Sequence, residues 1–423
     1  MAVATTVALV GAACSDDDSR SGTTPPETAG TDVTDVPITE AASAVDGRLT
    51  IGTLLPRSGP GAGLGEPLAA GVKLAVEQIN AAGGVNGRRV QLEEGDEGGA
   101  LATAQRSLEM LADKDVDVLV GPASSRISLG LLADALSNDF TVCSPTNTAI
   151  SLTRFPDQGR YFRTIPSDAL QARALARLIE RTGLNAVAIV YIDDEFGEDY
   201  RDALTRELES REISVVGSTA FDPDEEELTP AGIRAAAPGA GAIAVIGDPV
   251  DGGRMLAALG ELDSGDVDYF LNDALRMPNL AAALGGSPGS FLERLQGVAP
   301  EADSDDEEFN ADFGVRFPNT PIEFAAYAYD CTMLLALAAT SAESDEPERI
   351  ARALIDVSRT GSPCSQFAEC KALIDDGRSI DYVGASGNVE IDENGDVGTG
   401  SFDIFRFEPS GLDTLDESNI VIS

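Results

Sequence analysis

The sequence predicts an α/β protein with two doubly wound parallel-sheet lobes, each sheet flanked by helices. Three observations carry that prediction. From Leu49 onward, short runs rich in β-branched residues alternate with segments of helical period. The runs fall into two successive sets. The body, residues 47–423, is longer than one hydrophobic core usually serves.

The first set predicts strands at 49–55, 90–94, 116–120 and 140–144, and the second at 186–192, 213–220, 242–246 and 267–271. Between the first two, residues 67–82 have helical period, with Leu68, Val72, Val76 and Ile79 on one face. Pro67 suits the first turn of that helix and Gly83 its end. Open parallel sheets bind ligands beyond the carboxyl ends of their strands. The positions to watch are therefore the turns after Leu55, Val120, Ser144, Ile192, Ile246 and Leu271.

Residues 1–14 resemble a bacterial lipoprotein signal and lipobox: the apolar run Val7-Ala8-Leu9-Val10, the small residues Gly11-Ala12-Ala13, then Cys14. Cleavage before Cys14 and its lipidation would hold the protein on the outer face of the cytoplasmic membrane by a lipid anchor alone. Two features depart from that pattern: no Lys or Arg precedes the run, and Gly11 stands where Leu is usual. The alternative is a buried helix start with a core cysteine. Residues 15–46 carry eight acids and one base with little to bury, which predicts a disordered, solvated tether.

Removing those residues from the chain's 72 acids and 29 bases leaves the body near −36. Such a surface repels phosphate backbones, and nucleic acid is not an expected partner. Beyond Cys14 four cysteines remain, and an even number outside the membrane suggests disulfides. Three pairings are possible. Cys364 and Cys370, six positions apart in a loop with Gly, Ser and Pro, favour each other, which leaves Cys143 with Cys331; four buried free thiols are the alternative.

The chain has no histidine, which removes imidazole bases, the usual Ser/His/Asp triad and histidine metal sites together. Gly285-Gly286-Ser287-Pro288-Gly289 spells a nucleophile elbow, but the residue after the serine must donate its backbone N–H to the oxyanion, and Pro288 has none. The glycine-rich stretch 59–65 misses the dinucleotide spacing because Glu66 occupies the last glycine position. Asp392-Glu393-Asn394-Gly395-Asp396 hints at a calcium loop, yet Ser401 stands where the bidentate Glu is required, and a hairpin turn is expected instead. No enzyme activity, cofactor or metal is expected.

From Leu49 to the C-terminus the chain resembles the type I periplasmic solute-binding family, whose best-known members bind leucine, isoleucine and valine for ABC importers. The marks are Ile51-Gly52-Thr53-Leu54-Leu55-Pro56, Gly83-Gly84-Val85-Asn86-Gly87, Val120-Gly121-Pro122 with Ser124-Ser125, Ser144-Pro145-Thr146-Asn147-Thr148, Phe196-Gly197, Asp273, Tyr329-Asp330 and Ile391-Asp392-Glu393-Asn394-Gly395-Asp396. The resemblance implies a three-strand hinge near 163–168, 297–301 and 397–401. It divides the body into an N-terminal lobe of 47–166 plus 299–398 and a C-terminal lobe of 167–298 plus 399–423.

It also implies a ligand site. Ser125, Thr146 and Thr148 match the positions that hold an amino acid's α-carboxylate and amine, Phe196 matches a covering tyrosine, and Asp273 matches the acid that meets the amine. Leu64 and Asp248 stand where relatives carry aromatics, which departs from branched-chain specificity, and Asp248 beside Asp273 would favour a cationic ligand group. The implied function is capture of a small amino-acid-like or amide solute by a monomer, followed by delivery to an ABC permease and its ATPase. A sensory module is the rival reading.

Overall fold

The computed structural model describes residues 46–59, 61–228, 239–263, 267–276, 280, 284, 289–408, 413–415 and 419–422. The Cys14 lipidation site, all of the tether before Asp46 and residues 285–288 of the elbow-like stretch lie outside the described residues.

The first sheet contains β1 (Thr50–Leu55), β2 (Gln91–Asp96), β3 (Val118–Val120), β4 (Thr141–Ser144) and β5 (Tyr161–Arg163), all parallel, in the order β2-β1-β3-β4-β5. Strands β1, β3 and β4 are buried at every position. Their near-continuous apolar runs are what a parallel strand covered on both faces requires. The edge strand β2 instead carries the acids Glu93, Glu94 and Asp96.

The second sheet contains β6 (Ala186–Ile192), β7 (Ser214–Phe221), β8 (Ala242–Ile246), β9 (Asp268–Leu271) and β10 (Leu295–Pro300), again parallel. A small parallel pair follows, β11 (Ser362–Cys364) with β12 (Ile380–Tyr382). The chain then adds β13 (Gly400–Phe407) antiparallel to β10, and pairs β13 with β14 (Asp413–Leu415) and β15 (Ile420–Ile422). All eight predicted strands are present within two residues of their expected ends. The predicted two-lobe α/β architecture is the observed one.

Helix Ala325–Ser341 belongs to the first lobe although it lies far from that sheet in sequence. Sixteen of its seventeen residues are buried, since it is apolar on most sides and is enclosed by helices Ala62–Ala81 and Pro347–Val357 and by β3 and β4. The chain therefore crosses between lobes three times: between Arg163 and Asp168, after Pro300, and between Val397 and Gly400.

Helix Ala62–Ala81 begins five residues before the predicted start, so Pro67 lies inside it rather than in its first turn. Within the glycine-rich stretch, Gly65 is there for clearance: a Cβ on it would come within 1.8 Å of the Pro56 carbonyl oxygen. Residues 392–396 form the expected tight hairpin turn, with Asp392 N–H donating to the Asp396 carbonyl and Gly395 at φ +79°. Disulfides join Cys143 to Cys331 and Cys364 to Cys370. The first fastens β4 to helix Ala325–Ser341. No described helix is long and apolar enough to cross a membrane.

Candidate functional site

The turns after β3 and β4 lie side by side and are fastened to each other. Gly121 makes the sharp exit from β3 possible: its φ is +108°, and a Cβ there would meet the Leu54 carbonyl oxygen at 2.3 Å. Ser144 Oγ donates to the Pro122 carbonyl at 2.8 Å and accepts the Asn147 N–H at 3.2 Å. Thr146 Oγ1 and Asn147 Nδ2 both donate to the Ala123 carbonyl, at 3.0 and 2.8 Å. Ser124 caps helix Ser125–Ser137, and Ser125 Oγ accepts the Ala149 N–H at 3.4 Å.

Glu97 supports this arrangement from beneath. It is 2% exposed, and its two carboxylate oxygens accept the N–H groups of Ala123 and Ser124 at 2.7 and 3.1 Å. Burial raises its pKa, and the two backbone donors oppose that shift.

Among the expected ligand residues, Ser125 and Thr148 are half-buried on these turns, and the Thr146 hydroxyl proton is taken by the Ala123 carbonyl. In the second lobe, Phe196 lies one residue into helix Glu195–Glu209, its ring 6.2 Å from and edge-on to Tyr200. Asp248 is turned into its own backbone, accepting from Val250 and Asp251 N–H at 2.7 and 2.8 Å. Leu64 packs against the first-lobe core.

Asp273, at the end of β9, faces a residue that the sequence reading did not single out. Asp168 opens helix Asp168–Arg181 just after the first crossover and is 1% exposed, yet among the described residues neither of its carboxylate oxygens has a well-formed hydrogen bond. The Arg163 guanidinium and the Thr148 hydroxyl favour its charge. Burial, together with the charge of Asp273, holds the Asp168 pKa far above the usual carboxylate range. Burial raises that of Asp273 as well.

Gln171, one turn on, accepts Tyr200 O–H at 2.8 Å and Asp273 N–H at 3.2 Å through Oε1, while its buried Nε2 has no partner. Two carboxyl groups and one amide are thus collected where the lobes meet, with unspent acceptors and donors and, among the described residues, no cation bonded to either acid. Buried polar groups are rarely left unpaired without a reason. A ligand ammonium would satisfy both acids. Among the described residues no group of acids and cysteines has the geometry of a metal site.

The sequence profile described as periplasmic binding protein matches residues 48–373. The chain is 28% identical over 362 residues to the chemotactic signal transduction system substrate-binding protein BasB of Halobacterium salinarum, covering 81% of this chain and 83% of that one. It is 25% identical over 370 residues to Leu/Ile/Val-binding protein homolog 3 of Brucella melitensis, covering 87% and 93%. Among solved structures, the leucine-binding protein LivK of Thermotoga maritima superposes with a TM-score of 0.68 at 19% identity, covering 89% of this chain and 99% of that one. At that identity the superposition speaks for the fold alone.

Proposed function

Because this chain belongs to the periplasmic binding protein family, we propose that it captures an amino-acid-like solute between its lobes and delivers it to an ABC permease. The single observation that carries the ligand class is the unpartnered Asp168 beside Asp273. A buried acid beside a half-buried one, both with raised pKa values, is costly to keep, and a ligand amine relieves the cost. The first-lobe hydroxyls, Ser125 and Thr148, complement them by donating hydrogen bonds to a carboxylate or amide oxygen without a full opposing charge. No bond is made or broken in this reading. The ligand bridges two half-sites that only the closed form brings together, so binding shifts an equilibrium toward closure.

The test is calorimetry with the cognate solute. Ser125→Ala and Thr148→Val should each weaken binding by about 1 to 3 kcal/mol. Unchanged affinity in both, with folding intact, would remove them from the site.

Membrane retention through lipid on Cys14 is part of the same proposal, supported by the small-residue run before that cysteine. The Cys14→Ser protein should appear in the medium; its retention in the membrane fraction would remove the anchor. A sensory role is the second reading, favoured by the likeness to the chemotactic protein BasB. Loss of solute uptake on deleting this protein supports transport, whereas loss of taxis with uptake intact supports sensing.

A further inference from the structure

Arg163 ends β5, is fully buried, and spends all five of its N–H donors. Nε donates to Asp396 Oδ1 at 2.7 Å, and Nη2 donates to Asp396 Oδ2 at 3.0 Å and to Thr153 Oγ1 at 2.7 Å. Nη1 donates to the carbonyls of Asn147 and Ala149, at 3.0 and 2.9 Å, the two residues that flank Thr148. Thr153 in turn donates to Asp396 Oδ2, and the Arg163 N–H donates to the Gly395 carbonyl. One guanidinium plane therefore joins three segments: the loop that carries Thr148, the strand end that opens the first crossover, and the turn that opens the third.

Stability alone does not account for such a pair, because an apolar pair of the same volume commonly stabilises a core equally well. Directional bonds to two loop carbonyls are what an apolar pair cannot supply. The loop's effect also reaches the second lobe: the Thr148 carbonyl accepts the N–H of Asp168, first residue of the helix that follows the crossover, at 2.7 Å.

We propose that Arg163, held by Asp396, is a positioning residue that keeps the ligand loop in register with two of the three lobe crossovers, so that occupancy of the loop biases closure. This rests on the reading that residues 144–149 hold the ligand.

Two variants of the full chain test it: Arg163→Lys, which keeps the charge but not the five-bond fork, and Arg163→Met with Asp396→Leu, which removes both members of the pair together. Hydrogen exchange without ligand is the first readout. Amides of 147–149, 164–168 and 396–399 should exchange about tenfold faster in both variants, with β1 and β3 unchanged. Unchanged exchange in those segments, or an equal rise across the whole first sheet, overturns the proposal.

The second readout is thermal protection by an equimolar mixture of the proteinogenic L-amino acids. Where the wild type is protected, both variants should need about tenfold more of the mixture for the same shift, and equal protection overturns the proposal. A wild type that the mixture does not protect counts against the amino-acid reading of the site, while the exchange comparison still decides the brace.

Discussion

The Asp168→Asn protein should be more stable than the wild type at neutral pH without ligand and should bind its solute far more weakly. Asparagine fills the same space without a charge, and the wild-type carboxylate is buried with neither oxygen paired. Relieving that charge should stabilise by about 1 to 3 kcal/mol. If the carboxylate meets a ligand amine, its loss should cost about 2 to 5 kcal/mol of binding.

The pH dependence has a definite sign. The folded-state pKa of Asp168 lies above the ordinary value of 3.8, so between the two the folded chain holds the extra proton. Stability of the unliganded wild type therefore falls as pH rises through that window, and the gain in the variant should be full above it and vanish below the ordinary value. Binding runs the other way: protons compete with the amine, and wild-type affinity should fall as pH drops through the raised pKa. Denaturant melts and calorimetry at several pH values check both signs. A variant less stable than the wild type at neutral pH, or one with wild-type affinity, would contradict this account of Asp168.

Loss of the Cys143–Cys331 bridge should destabilise the protein much more than loss of Cys364–Cys370. The first closes a span of 188 residues and the second a span of 6. In the chain-entropy model these are worth about 5 and about 2 kcal/mol. The larger bridge also fastens β4, which leads into the ligand loop, to the buried helix Ala325–Ser341. Paired Ser variants of each bridge, compared in denaturant melts, test the ranking; equal losses would refute it.

Eight strands were legible, the central ones because parallel strands buried on two faces must be continuous apolar runs. Strand β5 was not, since Tyr161–Arg163 is three residues long and ends in a charge that only its partner Asp396, 233 positions on, makes tolerable. The start of helix Ala62–Ala81 was hidden because one of its glycines, Gly65, answers to the Pro56 carbonyl, a tertiary contact, and not to a turn.

The candidate site divides along the same line. Ser125, Thr146 and Thr148 are expected from the family resemblance, and they lie on the turns after β3 and β4. Asp168 could not be foreseen, because an acid in the first turn of a helix is ordinary in sequence. Its significance comes from burial and from Asp273, which arrives from the end of β9, 105 positions on in the same lobe. Asp248 stood out by position, but its carboxylate is occupied by the N–H groups of Val250 and Asp251.

The central claim is that the cleft accepts a solute bearing an amine opposite a carboxylate or amide. The most direct test is mass spectrometry of the small molecule released when the purified protein is unfolded. The account predicts an amino acid or close analogue with a free amine, whose return to the unliganded protein at about 100 times its dissociation constant stabilises by about 2.7 kcal/mol. A released solute with no amine, such as an aromatic carboxylate, that rebinds with the same affinity to the Asp168→Asn protein would contradict it.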